Sequence, residues 1–352
     1  FGSANNDLFQ DYVLTIICDF EWWKGIQSYK ATSPGPKYFI NIRSSLQICG
    51  NIMMSENQPT GQRIGWIGLG KMGHPMAMNL INARETVSVF NRSSEKTKEH
   101  AEAGGSVATS IAGLASSSEI VITMISDDTA IEEVVLGNDG IIANAQNGIS
   151  IIDMSTISPA ISAKVSEAAE TKDINYLRAP VNGTVMQAET GSLVILSSGP
   201  KKTFDDCLPL FNILGDKKFY IGEDEQARYL KLCINTMVGI SSSMMGEALA
   251  FGEAGGLDWD TMIDVIAGSA VGSPILNYKI ETLKNRDFTP AFTARQMAKD
   301  FDLALDTANL NNIPMPITST VRQHWSAMIG TGRGELDYFA YVELLEELAG
   351  IR

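Results

Sequence analysis

Arg63-Ile64-Gly65-Trp66-Ile67-Gly68-Leu69-Gly70-Lys71-Met72-Gly73 is the stretch that decides the fold. It opens as a short apolar run and ends in glycines. Apolar residues then recur at helical spacing, Met72, Met76, Met78, Leu80 and Ile81, so a helix is predicted over 71–84. Gly68, Gly70 and Gly73 form Gly-x-Gly-x-x-Gly at the junction. The first glycine permits a tight turn, and the second lets backbone approach a pyrophosphate. The third allows the helix to pack closely on the strand, while the helix N-terminus offers N–H groups and a partial positive charge. A bare hexamer of this kind is weak evidence. Between a strand and a helix it reads as a dinucleotide site made of Gly68, Leu69, Gly70, Lys71, Met72 and Gly73.

Outward from there, the first half alternates. Strands are predicted at 86–90, 119–125, 149–154, 176–177, 193–197 and 218–221, with a charged helix at 94–103. Short strands separated by helical stretches imply a doubly wound, mostly parallel sheet. From Asp224 the pattern changes: 226–255 runs without proline and reads as one buried helix, followed by helices at 258–270, 293–311 and 317–329. The expected fold is therefore an α/β Rossmann-type N-terminal domain, residues 62–222, and an all-α C-terminal domain, residues 223–352, for substrate and dimerisation.

Composition narrows the function classes. The 352 residues carry 27 Lys+Arg against 41 Asp+Glu, a formal charge of −14, which disfavours nucleic acid and anionic membrane as partners. No run approaches the length of a membrane span. Four scattered Cys without a Cys-x-x-Cys pair suit neither a disulfide scaffold nor a zinc site, and three His offer no ligand spacing, so no metal is expected. A reducing, cytoplasmic interior is the default compartment. Residues 1–52 differ from the rest: aromatic-rich, balanced in charge and without sustained periodicity. Folding and function are expected to begin near Met54, with residues 1–61 an extension outside the fold. A targeting peptide fits less well, because Asp7, Asp11, Asp19 and Glu21 are unlike a transit sequence.

The end of the second strand is where a ribose-recognition acid belongs. The sequence there is Asn91-Arg92-Ser93. An acid would bind the ribose 2′-hydroxyl and repel a 2′-phosphate, whereas Arg92, with Ser93 and Lys96, offers charge-assisted bonds to that phosphate. NADP is thus expected over NAD, with NAD still possible. His74, on the first helical turn, is expected to be merely solvated.

Further segments carry a specific resemblance. Asp153-Met154-Ser155-Thr156-Ile157-Ser158-Pro159 closes one strand and Ala179-Pro180-Val181-Asn182-Gly183-Thr184 the next, with Ala188 and Gly191-Ser192-Leu193 after it. Lys231-Leu232-Cys233-Ile234-Asn235 lies on the long helix, and Lys299-Asp300-Phe301-Asp302-Leu303 follows. With the glycine-rich loop, these resemble, in order over about residues 62–345, the β-hydroxyacid dehydrogenase family. Its members include 3-hydroxyisobutyrate dehydrogenase and the tartronate, glyoxylate and succinic semialdehyde reductases. The resemblance implies that Lys231 is the catalytic lysine and Asn235 its partner. The spacing supports this unaided, since i and i+4 share one helix face. It also implies that Asn182, Gly183 and Thr184 hold the substrate carboxylate, that Thr156 meets the nicotinamide ribose or substrate, and that Lys299 lies near the cofactor. Ile125 and Ser126, ending a strand at the carboxyl edge, join the cofactor site.

Asn182-Gly183-Thr184 replaces the family's usual Ser-Gly-Gly, which reshapes the pocket. Arg178 stands where many relatives carry an acid and is expected at the surface. Glu225 and Ala227 replace glycines before the lysine, implying a more regular helix start. Asp300 is expected to cap or pair. Met237, Met244, Met245 and Cys233 are read as helical core. The function implied is NADPH-dependent reduction of a small carboxylated aldehyde or keto acid by a homodimer or homotetramer. Alternatives are an NAD-dependent 3-hydroxyisobutyrate dehydrogenase working oxidatively, disfavoured by Asn91-Arg92, an imine reductase, which usually lacks the lysine, and a non-catalytic dinucleotide-binding module.

Overall fold

The computed structural model describes residues 59–352; the expectation for residues 1–52 lies outside them. Among the described residues nine strands form two sheets. The main sheet comprises β1 (Arg63–Ile67), β2 (Thr86–Phe90), β3 (Ser106–Val107), β4 (Ile120–Thr123), β5 (Ser150–Asp153) and β6 (Asn175–Arg178). Its order is β3-β2-β1-β4-β5-β6, and every pairing is parallel. The direction of strand order reverses between β1 and β4, and there a crevice opens beyond the strand ends. Buried strands such as β4, Ile-Val-Ile-Thr with no exposed position, read as continuous apolar runs because helices cover both faces.

The later strands depart from the single-sheet expectation. β7 (Val181–Asn182), β8 (Leu193–Ser197) and β9 (Gly215–Tyr220) form a separate sheet, antiparallel at β7–β8 and parallel at β8–β9. The chain turns at Pro180, a residue with no N–H for a continuing ladder, and leaves the main sheet there.

Among the described residues, helices of nine residues or more are α1 (Gly73–Asn82), α2 (Pro159–Glu170), α3 (Lys201–Leu214), α4 (Gln226–Ala254), α5 (Trp259–Gly268), α6 (Ala294–Leu310), α7 (Pro316–Gly330) and α8 (Tyr341–Ala349). Everything after β9 is helical or loop, so the α/β Rossmann-type fold with an all-α C-terminal part holds. The helical part has its own core, built around Trp325, Phe301, Leu249, Ile263 and Phe339. α6 starts with a capping box in which Thr293 and Gln296 exchange side-chain and backbone bonds.

α4 corrects the reading of one buried helix. Arg228, Lys231, Asn235, Ser242 and Leu249 are buried, but Leu230, Met237, Met244 and Phe251 on the opposite face are exposed, as is Cys233. Of the residues read as core, only Met245 is buried. An apolar helix reads as buried all round, yet a single chain packs only one of its faces.

Candidate active site

The glycine-rich loop joins β1 to α1 at the switch point. Gly68 has φ +102°, and a Cβ there would lie 2.3 Å from the Met124 carbonyl oxygen. A Cβ at Gly73 would lie 2.1 Å from the Gly68 oxygen, so the turn and the helix start touch through bare backbone. A Cβ at Gly70 would meet nothing within 4 Å, which leaves open space over the middle of the loop. That difference fits a dinucleotide pyrophosphate: two glycines close the turn and the third leaves room for the ligand. The His74 N–H closes the first turn of α1 on the Gly70 carbonyl at 3.0 Å. A cavity of about 750 Å³ opens here, lined by Gly70, Lys71, His74, Lys96 and Pro290 among others.

Two braces of the loop were not read from sequence. Trp66, fully buried, donates its indole N–H to the Gly68 carbonyl at 3.0 Å. Asn91 Oδ1 accepts from the Leu69 N–H at 2.9 Å while its Nδ2 donates to the Ser93 carbonyl. The side chains of Leu69 and Met72 pack toward the core. Arg92 is exposed beyond β2 and makes no ion pair among the described residues. Lys96 shares the cavity lining with Glu95 and Glu99. Lys71 reaches across to the helical part, donating Nζ to the Pro290 carbonyl at 2.6 Å. His74 is less free than expected: it lies 3.4 Å from Glu99 and packs edge-on against buried His100.

Away from this loop, Lys231 and Asn235 lie one turn apart on α4, both buried. Burial pulls the Lys231 ammonium from its ordinary 10.5 down to about 8; the Asp300 carboxylate opposes that shift, and the Lys299 charge adds to it. Asn235 donates Nδ2 to Asp300 Oδ2 at 2.5 Å. A carboxylate can only accept, so the amide must turn its nitrogen to Asp300, leaving Oδ1 and the second N–H for the cleft. Asp300, expected merely to cap or pair, is thus buried between Asn235 and Lys299, whose Nζ is 3.0 Å from Oδ1. Lys299 also donates to the carbonyls of Ser126 and Thr156, at 3.0 and 2.8 Å. It therefore ties α6 to the ends of β4 and β5. The Ile125 N–H donates to Ser155 Oγ, so the two strand ends are linked to each other as well.

The loop after β6 holds Asn182, Gly183 and Thr184. Gly183 has φ +147°, and a Cβ would lie 2.7 Å from Leu193. Thr184 caps the helix Val185–Glu189 through a capping box with Gln187, so its N–H is already used and its hydroxyl hydrogen is what remains for a ligand.

Arg178 corrects the surface expectation. Its side chain is 5% exposed and ion-paired with Glu225, donating Nε to Glu225 Oε1 at 2.9 Å. Two departures noted separately in the sequence are therefore halves of one contact. Arg228, which sequence reasoning missed, is also buried and bonded to Asp153.

A glycine-loop Rossmann sheet together with a buried lysine on the long helix α4 is the arrangement of a nicotinamide-dinucleotide oxidoreductase. Comparisons with known proteins narrow the class. Residues 63–222 match the model for the NAD binding domain of 6-phosphogluconate dehydrogenase, and residues 226–345 that for the NAD-binding region of NADP-dependent 3-hydroxyisobutyrate dehydrogenase. Glyoxylate/succinic semialdehyde reductase 1 of Arabidopsis thaliana is 32% identical over 80% of this chain and 98% of its own length. The 2-(hydroxymethyl)glutarate dehydrogenase of Eubacterium barkeri is 29% identical over 82% of this chain and 96% of its own. The structure of Mycobacterium tuberculosis 3-hydroxyisobutyrate dehydrogenase with L-serine superposes with a TM-score of 0.74 at 26% identity, covering 81% of this chain and 99% of that one. The chain belongs to the β-hydroxyacid dehydrogenase family and is an NAD(P)-dependent hydroxyacid oxidoreductase. Among the described residues no helix is long and apolar enough to cross a membrane.

Proposed function

We propose that the protein reduces a small carboxylated aldehyde or keto acid, such as a semialdehyde or glyoxylate, with NADPH as the preferred cofactor and Lys231 as the proton donor. The observation that carries this reading is the burial of Lys231 with a proton affinity lowered to about 8, one helical turn from an Asn235 held by Asp300. A nicotinamide cofactor, when bound, would supply the hydride. Lys231 delivers the proton to the carbonyl oxygen as negative charge grows there, and a group near neutrality is suited to giving and regaining that proton. Asn235, fixed by Asp300, orients the same oxygen. Asn182, the Gly183 backbone and the Thr184 hydroxyl hold the substrate carboxylate. Thr156 and Lys299 close the cofactor side, with Ile125 and Ser126 at the sheet edge.

Exposed Arg92 supports the NADP preference, with Ser93 beside it, since no acid stands there to repel a 2′-phosphate. Residues 62–222 would then bind the cofactor and residues 223–352 complete the substrate site. Leu230, Met237, Met244 and Phe251 stand seven apart on the exposed face of α4, and a face of that kind supports a homodimer or homotetramer.

The test is cofactor oxidation against glyoxylate, succinic semialdehyde, tartronate semialdehyde and methylmalonate semialdehyde, with NADPH and NADH in parallel. Turnover of at least one with NADPH is expected, and its rank across chain lengths sizes the pocket. Tight NADPH binding without turnover on any member would overturn the substrate assignment.

A further inference from the structure

The first turn of α4 is fastened to the main sheet by two ion pairs. Asp153 ends β5 and Arg178 ends β6, and the two are register partners across the parallel ladder. Adjacent and opposite in charge, they nevertheless pair with α4 and not with each other. Arg228 donates Nη2 to Asp153 Oδ2 at 2.6 Å, and Arg178 pairs with Glu225. Side-chain exposure is 1% and 0% in the first pair, 5% and 15% in the second. Two positive and two negative charges are thus withdrawn from water together.

The Asp153 carboxylate is further saturated by the Thr123 hydroxyl at 2.8 Å, the Ser155 N–H at 3.0 Å and the Tyr176 phenol at 3.2 Å. Burial raises the Tyr176 proton affinity, so the phenol stays a neutral donor. Arg228 also donates to the Ser155 carbonyl at 2.7 Å and to Ser162 Oγ at 3.2 Å. It therefore grips both sides of the turn that leads into Thr156. Ser198 adds a neutral tie, donating to the Asp224 carbonyl and accepting from the Ala227 N–H. Arg228 lies three residues before Lys231. Buried ion pairs bring little net stability compared with apolar packing, but they tolerate little displacement. Such a network fixes a position more effectively than it stabilises a fold.

Given the proton-transfer role proposed for Lys231, we infer that Arg228 and Arg178 are positioning residues, whose crossed pairs with Asp153 and Glu225 clamp the first turn of α4 and hold Lys231 at a set depth beside the Thr156 turn. Lys231 itself forms no ion pair within 4 Å among the described residues, so the clamp acts through the helix. The charged groups that face Lys231 from α6, Asp300 and Lys299, are not members of the clamp.

The test uses the full chain with Arg228→Lys, Arg178→Glu, Glu225→Arg and the double swap Arg178→Glu/Glu225→Arg. Three quantities are measured: NADPH affinity, kcat and KM on an aldehyde the parent reduces, and the titration of Lys231 by competitive labelling with an amine-reactive reagent read by mass spectrometry. Loosening the turn should lower kcat by about 10- to 100-fold with NADPH affinity changed by less than about threefold. It should also let water reach Lys231, so that its labelling midpoint rises from about 8 toward 10.5. The swap should recover kcat and midpoint to near the parent values. Arg228→Lys keeps the charge and loses the two-sided grip, so it remains informative if the charge-reversal variants fail to fold. A lowered melting temperature with kcat and the Lys231 midpoint unchanged in Arg228→Lys would overturn the positioning role. Labelling needs no turnover, so the two proposals fail separately: an active Lys231→Ala removes the proton-transfer role, while an immobile midpoint removes the clamp.

Discussion

At the Gly68–Gly73 loop the chain offers backbone, with Gly68 and Gly73 where a Cβ would collide and Gly70 over open space. At the Lys231 end it offers charged side chains taken out of water: Lys231, Asp300, Arg228, Asp153 and Arg178 are all buried. The first end costs little in electrostatics and depends on local conformation. The second depends on partners brought from distant parts of the chain, and burial of each charge must be offset by a contact. Lys231 stands apart, because it is buried without a close ion pair and carries its cost as a lowered proton affinity. In the proposed reading one end binds and the other does the chemistry, and substitutions should separate the two.

The largest effect is expected at Lys231. Lys231→Met should reduce turnover by about 10²- to 10⁴-fold while NADPH affinity stays near the parent value. It should also stabilise the protein. The folded-state value of about 8 lies below the ordinary 10.5, so between these limits the unfolded chain holds more protons and stability rises with pH. Below pH 8 the parent bears the whole cost of the buried ammonium, about 3 kcal/mol at 1.36 kcal/mol per unit. The gain of Lys231→Met in denaturant melts should be full below pH 8 and vanish above 10.5. In the parent, reduction should slow as pH rises through about 8 and oxidation should quicken. A flat pH–rate profile from 6.5 to 9.5 would remove the lysine from proton transfer.

Next in size is a contrast between two glycines of the binding end. Gly68→Ala places a Cβ against the Met124 carbonyl at φ +102°, a strain of about 1–3 kcal/mol that appears without any ligand. Gly70→Ala meets open space, so the melt of the free protein should move by less than about 0.5 kcal/mol. Its cost should appear only with cofactor, as at least about tenfold weaker binding, because the added methyl occupies the approach of the pyrophosphate. Equal cofactor affinity for Gly70→Ala and the parent would mean that the ligand does not pass over this loop.

The same contrast explains what could be read from sequence. The loop is legible because its three glycines recur at a fixed spacing within six residues, directly between a strand and a helix. Lys231 and Asn235 were legible because i and i+4 share a helix face. The clamp was not: Arg178 meets Glu225 across 47 residues and Arg228 meets Asp153 across 75. Nothing in local spacing says that an arginine ending a strand will turn inward to a helix start. Asn91 shows the limit at short range. It stands beside the ribose-recognition position, yet its amide is spent on the Leu69 N–H and the Ser93 carbonyl, bonds visible only once β1 and β2 are side by side. Hydropathy reports the apolar face of α4 without saying what covers it, so the sequence alone reads that helix as buried all round.

The smallest effect is expected at Arg92, and it bears on which end sets cofactor choice. Asn91 is committed to the loop, which leaves Arg92 as the charged group at the end of β2 available to a 2′-phosphate, with Lys96 offset by Glu95 and Glu99. Arg92→Ala should weaken NADPH by about tenfold, the range of one charge-assisted bond at an exposed site. NADH, lacking the phosphate, should change by less than about twofold on the same basis. Because Arg92 is solvent-exposed, the difference between the cofactors should also shrink as salt rises and the Debye length falls from about 10 Å at 0.1 M to about 3 Å at 1 M. Equal losses for both cofactors, unchanged by salt, would point instead to a guanidinium stacked on the adenine ring, a contact that NADH and NADPH share and that cannot select between them.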